Sequence, residues 1–292
     1  MKKTIFIIFF LLILLSCSSE KSHNNPTIYV TITPLKALIE EITCGDFDID
    51  VVVPEGASPE SFEPTARHIS AMSDAELVFE VGLINFEQSL VKHLGDNLVN
   101  LSEGIEPMAG SCSHGHHHGH HHGHHHSHGI DPHIWTAPRT LRTMVENARE
   151  AILAQYPDSA KYERAAQALL ERIDGIDSRC AERIKASDAH TMMIYHPAYT
   201  YFARDYSIEQ IAIEQEGKEP TPRQLTALVE RAKSEGINAI FIQPQYSIDK
   251  VRAIAEACDA EVVTTDPLSS DILAEIERIT DIICSYEPRD TH

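Results

Sequence analysis

The sequence has few basic residues for its size. It holds 24 lysines and arginines against 44 aspartates and glutamates, so the formal net charge of the 292 residues is −20. This balance argues against a nucleic-acid partner and is compatible with a cationic ligand. The sequence also lacks the His-Glu-x-x-His pattern of a common class of zinc hydrolases, and we expect no enzymatic activity.

The sequence also lacks a C-x-x-C pair. Besides Cys17 there are five widely spaced cysteines, which are Cys44, Cys112, Cys180, Cys258 and Cys284. This spacing indicates neither a thiolate zinc site nor a dithiol redox motif. A disulfide between Cys258 and Cys284 and two free thiols are both compatible with the sequence. The odd number leaves at least one thiol unpaired or bonded to another molecule.

Long apolar runs are absent except at the start of the chain. Residues 5–15 form an unbroken apolar run after two lysines, which is typical of a signal peptide and too short to span a bilayer. The run ends at Leu-Leu-Ser-Cys, which resembles a bacterial lipobox and predicts a lipid-modified Cys17; an ordinary signal peptide is the alternative. Residues 18–26 are polar and predict a tether. The absence of a second run predicts that the remainder is soluble.

Strand and helix patterns alternate in two separate parts of the chain. Strands are predicted at 27–33, 49–53, 77–81, 98–101, 191–195, 237–242 and 261–265. Helices are predicted at 35–42, 66–73, 86–94, 251–257 and 272–284, with a further helix that starts at the capping residue Thr221 and stops near Gly236. This order predicts an α/β fold with two lobes, each with a mainly parallel sheet flanked by helices.

Residues 158–186 place apolar side chains at spacings of three and four without any proline. The pattern predicts one helix, about 45 Å long at 1.5 Å per residue, that joins the lobes. Two helices broken at Gly175 are the alternative, although a glycine costs a helix interior only about 1 kcal/mol. The predicted organisation is a signal peptide at 1–17, a tether at 18–26, an N-terminal lobe at 27–157, a linking helix at 158–187 and a C-terminal lobe at 188–292.

Eleven of the 18 histidines lie in one tract in which glycine and serine fill the other positions. Such a composition cannot form a core, so we predict a histidine-rich loop at 111–129. Neutral imidazoles bind zinc, copper, nickel and cobalt, and a tract of triplets offers several exchangeable sites. We favour auxiliary metal capture over an affinity tag, a pH sensor or a solvating loop. The histidines are His114, His116, His117, His118, His120, His121, His122, His124, His125, His126 and His128.

Four side chains that can bind a metal follow predicted strands or the histidine-rich loop. They are Glu60, His133, His196 and Asp266, and each is next to a proline. Open parallel sheets bind ligands beyond the carboxyl ends of their strands, and two of the four residues come from each lobe. We therefore predict a four-ligand metal site in the cleft between the lobes, although each residue alone could have only a structural role.

The chain resembles the zinc- and manganese-type solute-binding lipoproteins of ABC importers, also called cluster 9 or cluster A-I, in their zinc-type form with a histidine-rich loop. The resemblance covers nearly all of the mature sequence. It is carried by the lipobox, residues 56–64, the histidine tract, Asp131-Pro132-His133-Ile134-Trp135, the long helix, His196 with Tyr201-Phe202-Ala203, and Thr265-Asp266-Pro267-Leu268.

The resemblance implies two lobes joined by a rigid helix and a function in metal import. A lipid-anchored monomer, in the periplasm or at the cell surface, would bind a divalent metal with high affinity. It would pass the metal to an ABC permease with a cytoplasmic ATPase. An adhesin-like surface lipoprotein is a weaker alternative.

The resemblance also implies metal ligation by His133, His196 and Asp266. Where the family usually has a histidine, this chain has Glu60, whose carboxylate can bind zinc directly. Water, Glu63 or His68 could take that place instead.

Two imidazoles and two carboxylates would be neutral with a divalent cation and would tolerate Mn²⁺ or Fe²⁺. The histidine tract favours Zn²⁺, which is the metal we expect.

Overall fold

The computed structural model describes residues 25–110, 129–187, 189–214 and 217–286. The predicted signal peptide, Cys17 with its predicted lipid modification, Cys112 and the histidine tract at 114–128 lie outside these residues. In the part of the chain that is described, no helix is both long and apolar enough to cross a membrane.

Two four-stranded parallel sheets form the framework of two lobes. The strands of the first are β1 (Thr27–Val30), β2 (Asp48–Val51), β3 (Leu77–Glu80) and β4 (Leu98–Asn100), in the order β2-β1-β3-β4. Those of the second are β5 (Thr191–Ile194), β6 (Glu209–Ala212), β7 (Ala239–Ile242) and β8 (Glu261–Thr264), in the order β6-β5-β7-β8. Both sheets thus have the same topology, and their carboxyl ends are the places where ligands bind in such folds.

Helices cover both faces of the sheets, so the central strands are apolar throughout. All four residues of β3 and of β7 are buried. The helices, in chain order, are α1 (Thr33–Ile42), α2 (Ala66–Ser73), α3 (Glu87–Leu90), α4 (Pro138–Gln155), α5 (Ala160–Lys185), α6 (Thr200–Tyr206), α7 (Pro222–Ser234), α8 (Asp249–Cys258) and α9 (Ile272–Ser285). The predicted cap of α7 is confirmed, because Thr221 and Gln224 form a capping box.

The long helix α5 is continuous through Gly175, which confirms the prediction of a single helix. It packs along α4 and contacts α1 in the first lobe and α9 in the second. Exposed ion pairs accompany this packing on both sides, with Arg172 bonded to Glu41 and Arg179 bonded to Glu277, each at 2.7 Å. Exposed pairs contribute little energy, so the buried stripe on α5 provides most of the connection between the lobes.

The sequence-based assignment misses three elements and overestimates the length of several others. It misses α4 and α6, and it misses β6, an edge strand whose first two residues are polar. The helix predicted at 86–94 is only the four-residue α3, after which Leu90 accepts the turn bonds of His93 and Leu94. The predicted strands are each one to three residues too long because strand pairing stops before the apolar run does.

Cys258 and Cys284 are both free thiols, so the disulfide alternative is wrong. Met192 and Ile194 on one face of the second sheet belong to the same apolar cluster as Cys284. Met193 on the opposite face belongs to the cluster that contains Cys258. The sheet therefore separates the two sulfur atoms.

Candidate metal centre

Glu60, His133 and His196 come together in the cleft between the lobes. Their ligand atoms all lie within 4.8 Å of one another, and among the described residues they are the group of histidines and acids that could hold a metal ion. The two Nε2 atoms are 3.3 Å apart. Glu60 Oε1 lies 3.4 Å from Nε2 of His196 and 3.9 Å from Nε2 of His133.

These distances are close to those around a tetrahedral metal ion. Zinc bonds of 2.0–2.1 Å place neighbouring ligand atoms about 3.3 Å apart. The three atoms thus form one face of a tetrahedron, with room for a fourth ligand. The cavity that they line measures about 30 Å³, which suits an ion or a water molecule and excludes an organic molecule of ordinary size.

Each of the three candidate ligands is placed by a short irregular segment next to a helix or strand. Glu60 lies in the 3-10 turn Pro59–Ser61, where the proline restricts the backbone at the start of the turn. His133 is the residue before a second 3-10 turn, Ile134–Thr136. His196 follows β5, and its backbone carbonyl accepts a bond of 2.7 Å from the side chain of Gln243 at the end of the neighbouring strand β7.

A buried carboxylate orients each histidine. Nδ1 of His133 lies 2.8 Å from Asp131 Oδ1, and Nδ1 of His196 lies 2.6 Å from Glu214 Oε1. Both acids are only 3% exposed. A carboxylate beside Nδ1 favours a proton on that atom, so Nε2 of each ring faces the cleft and carries the lone pair when the ring is neutral.

These contacts shift the pKa values of both His196 and Glu60. Burial alone would lower the pKa of His196, but its bonds to Glu214 and Glu60 raise this pKa to about 9. Partial burial opposes ionisation of Glu60, yet the hydrogen bond to His196 and the charge of both imidazoles lower the pKa of Glu60 below its usual value. In the absence of a metal, a proton on His196 therefore offsets part of the negative charge of the carboxylates.

Asp266 does not belong to the group of three side chains. Its carboxylate lies in a neighbouring cavity of about 290 Å³, where Oδ1 accepts a bond of 3.0 Å from the backbone of Leu268. It also bonds to Gln245, whose side chain lines both cavities. Burial raises the pKa of Asp266. Its role as a fourth ligand stays a prediction, and it requires the carboxylate to turn towards the histidines.

The two substitutes considered for Glu60 lie elsewhere. His68 is engaged in the capping box of α2, where its Nδ1 accepts a bond of 3.2 Å from the backbone of Thr65. Glu63 is exposed to solvent. Of the three acidic and histidine candidates for this position, only Glu60 lies beside the two histidines.

Sequence reasoning missed three residues that shape the site. Glu214 and Gln243 each follow a strand of the second sheet, and Tyr246 lies with its ring centroid 5.8 Å from that of His196. Gln243 could have been found, because it directly follows the predicted strand 237–242. Glu214 could not have been found, because it follows β6, and the polar residues at the start of β6 do not give the apolar pattern of a strand.

The carboxylate of Glu214 can be tested by substitution with glutamine, which keeps the shape but removes the charge. We expect zinc affinity to fall between about tenfold and a hundredfold, as is usual when the partner of a ligand histidine is lost. The measurement is chelator competition at pH 7.5. Glu209→Gln, an exposed site on the same strand, is the matched control and should not change the affinity. Equal affinity of both variants would show that Glu214 does not support His196.

Known proteins are similar to this chain in sequence and in structure. Residues 28–279 match the family described as ZnuA, zinc-uptake complex component A, periplasmic. The high-affinity zinc uptake system protein ZnuA of Bacillus subtilis is 28% identical over 258 residues, which cover 85% of this chain and 81% of that protein.

Two further similarities span most of the chain. The zinc-binding lipoprotein AdcA of Streptococcus pneumoniae is 26% identical over 279 residues, which cover 89% of this chain. They cover 53% of AdcA, so this chain spans about half the length of that relative. A crystal structure of a ZnuA deletion mutant with zinc bound has a TM-score of 0.79 at 26% identity, covering 91% of this chain and 99% of the other.

Proposed function

This chain belongs to the ZnuA family of zinc-uptake complex components, and from that membership we propose that it captures a divalent transition metal, zinc first, outside the cytoplasm and delivers it to an ABC importer. The observation that carries the proposal is the convergence of Glu60, His133 and His196, with a buried carboxylate behind each imidazole. Such an arrangement is typical of metal ligands in proteins.

The proposed ligands are Glu60, His133, His196 and Asp266. Two carboxylates and two neutral imidazoles carry no net charge among themselves once a divalent cation is bound. Asp131 and Glu214 behind the imidazoles add buried negative charge, which further favours a cation over a neutral ligand. Asp266 would complete the tetrahedron by exchanging its bonds to Gln245 and Leu268 for a bond to the metal.

Zinc is the proposed metal because the relatives AdcA and ZnuA are named for zinc and because two imidazoles suit a borderline ion. Mn²⁺ or Fe²⁺ is the second candidate, favoured by the carboxylate of Glu60 at a position where a third imidazole would be more selective. The cavity of about 30 Å³ beside these side chains suits a bound ion, which agrees with capture of the metal itself.

The metal can be identified by elemental analysis of protein purified without added metal, followed by competition titrations. We expect bound zinc, and a dissociation constant for zinc at least about a hundredfold below that for manganese, following the order of intrinsic affinities. Zinc uptake by cells that lack the chain should fail at low zinc and be restored by the gene. Preferential retention of manganese would assign the chain to manganese uptake instead.

We further propose a lipid-anchored monomer, in the periplasm or at the cell surface, held by Cys17 and working with a permease and its cytoplasmic ATPase. The relatives named as lipoproteins support the anchor. The long helix α5 would join an N-terminal lobe at 27–157 to a C-terminal lobe at 188–292. The histidine tract would capture metal near the cleft and raise its local concentration there.

Deleting residues 114–128 should remove the weak, multiple metal sites and leave the tight site intact. The deletion is structurally mild, because Gly110 donates a backbone bond of 2.8 Å to Gly129 and three residues would remain to close the turn. We expect the tight dissociation constant to change by less than about threefold, since separate sites act independently. Calorimetry measures both classes of site, and a variant with the tract histidines replaced by serine controls for loop length.

A further inference from the structure

Residues 131–136, which we name the His133 segment, precede α4 in the first half of the chain but are hydrogen-bonded to the second lobe. Three of the bonds that make this connection have backbone carbonyl acceptors. They run from Tyr201 Oη to the Asp131 carbonyl (2.9 Å), from Trp135 Nε1 to the Pro267 carbonyl (2.7 Å) and from Thr136 Oγ1 to the Ala198 carbonyl (2.8 Å). All three partners follow or lie between strands of the second sheet.

The packing of the His133 segment agrees with these bonds. The turn Ile134–Thr136 contacts α4 and two helices of the second lobe, α6 and α9. Its three side chains are at most 1% exposed, so the turn is a buried part of that interface. Four backbone amides of the segment have acceptors, three within the segment and one at the carbonyl of Met108, which further restricts its motion.

The loop that carries Glu60 belongs instead to the first lobe. Phe62 packs edge-on against Phe86, with 5.2 Å between the ring centroids, and stacks on His68. The side chain of Glu60 is 39% exposed, and its contacts across the cleft are those with the two imidazoles. Within 54–63, the backbone bonds are limited to two, those of Ala57 and Ser61.

We propose that His133 and His196 form a preassembled pair on the C-terminal lobe and that Glu60 is the ligand which the N-terminal lobe brings to the metal. This inference rests on the proposed function, because it assumes that these side chains bind the ion. By its position in the sequence His133 belongs to the first lobe, whereas the proposal assigns it to the second. The metal binds the imidazole pair first, and Glu60 closes over it; separation of the lobes breaks the bond to Glu60 and leaves the pair intact.

Tyr201 and Thr136 are positioning residues in this arrangement. Tyr201 is fully buried, and its hydroxyl accepts a bond of 3.1 Å from the backbone of Met108 while it donates to Asp131. Asp131 in turn holds Nδ1 of His133. Loss of the hydroxyl therefore loosens His133 without altering any ligand atom.

Hydrogen exchange of the unaltered protein, with and without zinc, tests the proposal. Amides within 54–63 should exchange at least about tenfold more slowly when zinc is added, because the loop becomes tied to the metal. Amides within 131–137 should be equally protected in both states. Zinc-dependent protection of 131–137 would overturn the preassembled pair. Absence of zinc binding in a parallel titration would overturn the proposed function instead, so the two failures are distinguishable.

Conservative variants test the positioning residues. In the absence of zinc, Tyr201→Phe and Thr136→Val should each make the amides of 131–137 exchange faster than in the unaltered protein. Addition of zinc should then slow this exchange. Each variant should also bind zinc about tenfold more weakly. Thr136→Ser keeps the hydroxyl and should restore the original behaviour. Tyr206→Phe is the matched control, because it removes a bond of 2.7 Å from a hydroxyl on the same helix to Asp177, away from the site. The positioning roles of Tyr201 and Thr136 would be wrong if neither variant changed the exchange of 131–137. They would also be wrong if Tyr206→Phe weakened zinc binding as much as the test variants do.

Discussion

Replacing both His133 and His196 with alanine is expected to raise the dissociation constant of the tight zinc site by about a thousandfold or more. Four-ligand zinc sites bind with roughly 10–16 kcal/mol, so removing two of the ligands should cost several kcal/mol, and each 1.4 kcal/mol is a factor of ten. Weak binding by the histidine tract should persist in this variant. Calorimetry with zinc at pH 7.5 measures both classes of site.

A control separates loss of ligands from loss of histidines in general. His93 and His190 are exposed and lie outside the cluster, so their double replacement by alanine should leave the tight site unchanged. Circular dichroism without zinc should be the same for all variants. If deletion of the tract alone eliminates tight binding, and the double variant of His133 and His196 does not, the histidine tract is itself the functional site.

The affinity for zinc is expected to fall about a hundredfold between pH 8 and pH 6. Burial opposes the charged form of His196, but Glu214 and Glu60 outweigh it and raise the pKa to about 9. Zinc binds the neutral imidazole, so below pH 9 it must displace this proton, and each lower pH unit costs about a factor of ten. Above pH 9 the imidazole is already neutral and this dependence should level off.

Chelator competition across the pH range measures this slope. Calorimetry in buffers with different ionisation enthalpies should show about one proton released from His196 per zinc bound at pH 7.5, together with any released by other groups. Glu214→Gln removes one cause of the raised pKa and should move the plateau to lower pH, whereas Glu209→Gln should not. A dissociation constant that stays constant from pH 8 to pH 6 is incompatible with binding through His196.

Much of the fold could be predicted because its signals are local. The apolar runs of the central strands and the stripe along α5 report burial directly, and Thr221 with Gln224 marks the start of a helix. Polar side chains after predicted strands pointed to Glu60 and His196, since the carboxyl ends of parallel strands meet at one edge of a sheet. His133 was found because it follows the histidine-rich loop next to a proline. The edge strand β6 was missed because its sequence has little apolar character of its own.

By itself, the sequence determined the two α/β lobes, the single linking helix and the residue types that could bind a metal, because periodicity and strand ends depend on neighbouring residues. The tertiary structure decided which side chains meet. It placed Glu214 behind His196, turned Asp266 towards Gln245 and attached the His133 segment to the opposite lobe. These contacts join residues that are 18 or more positions apart, and those of the His133 segment join residues 62 or more positions apart, so no local pattern records them. They follow from how the two packed lobes face each other across the cleft.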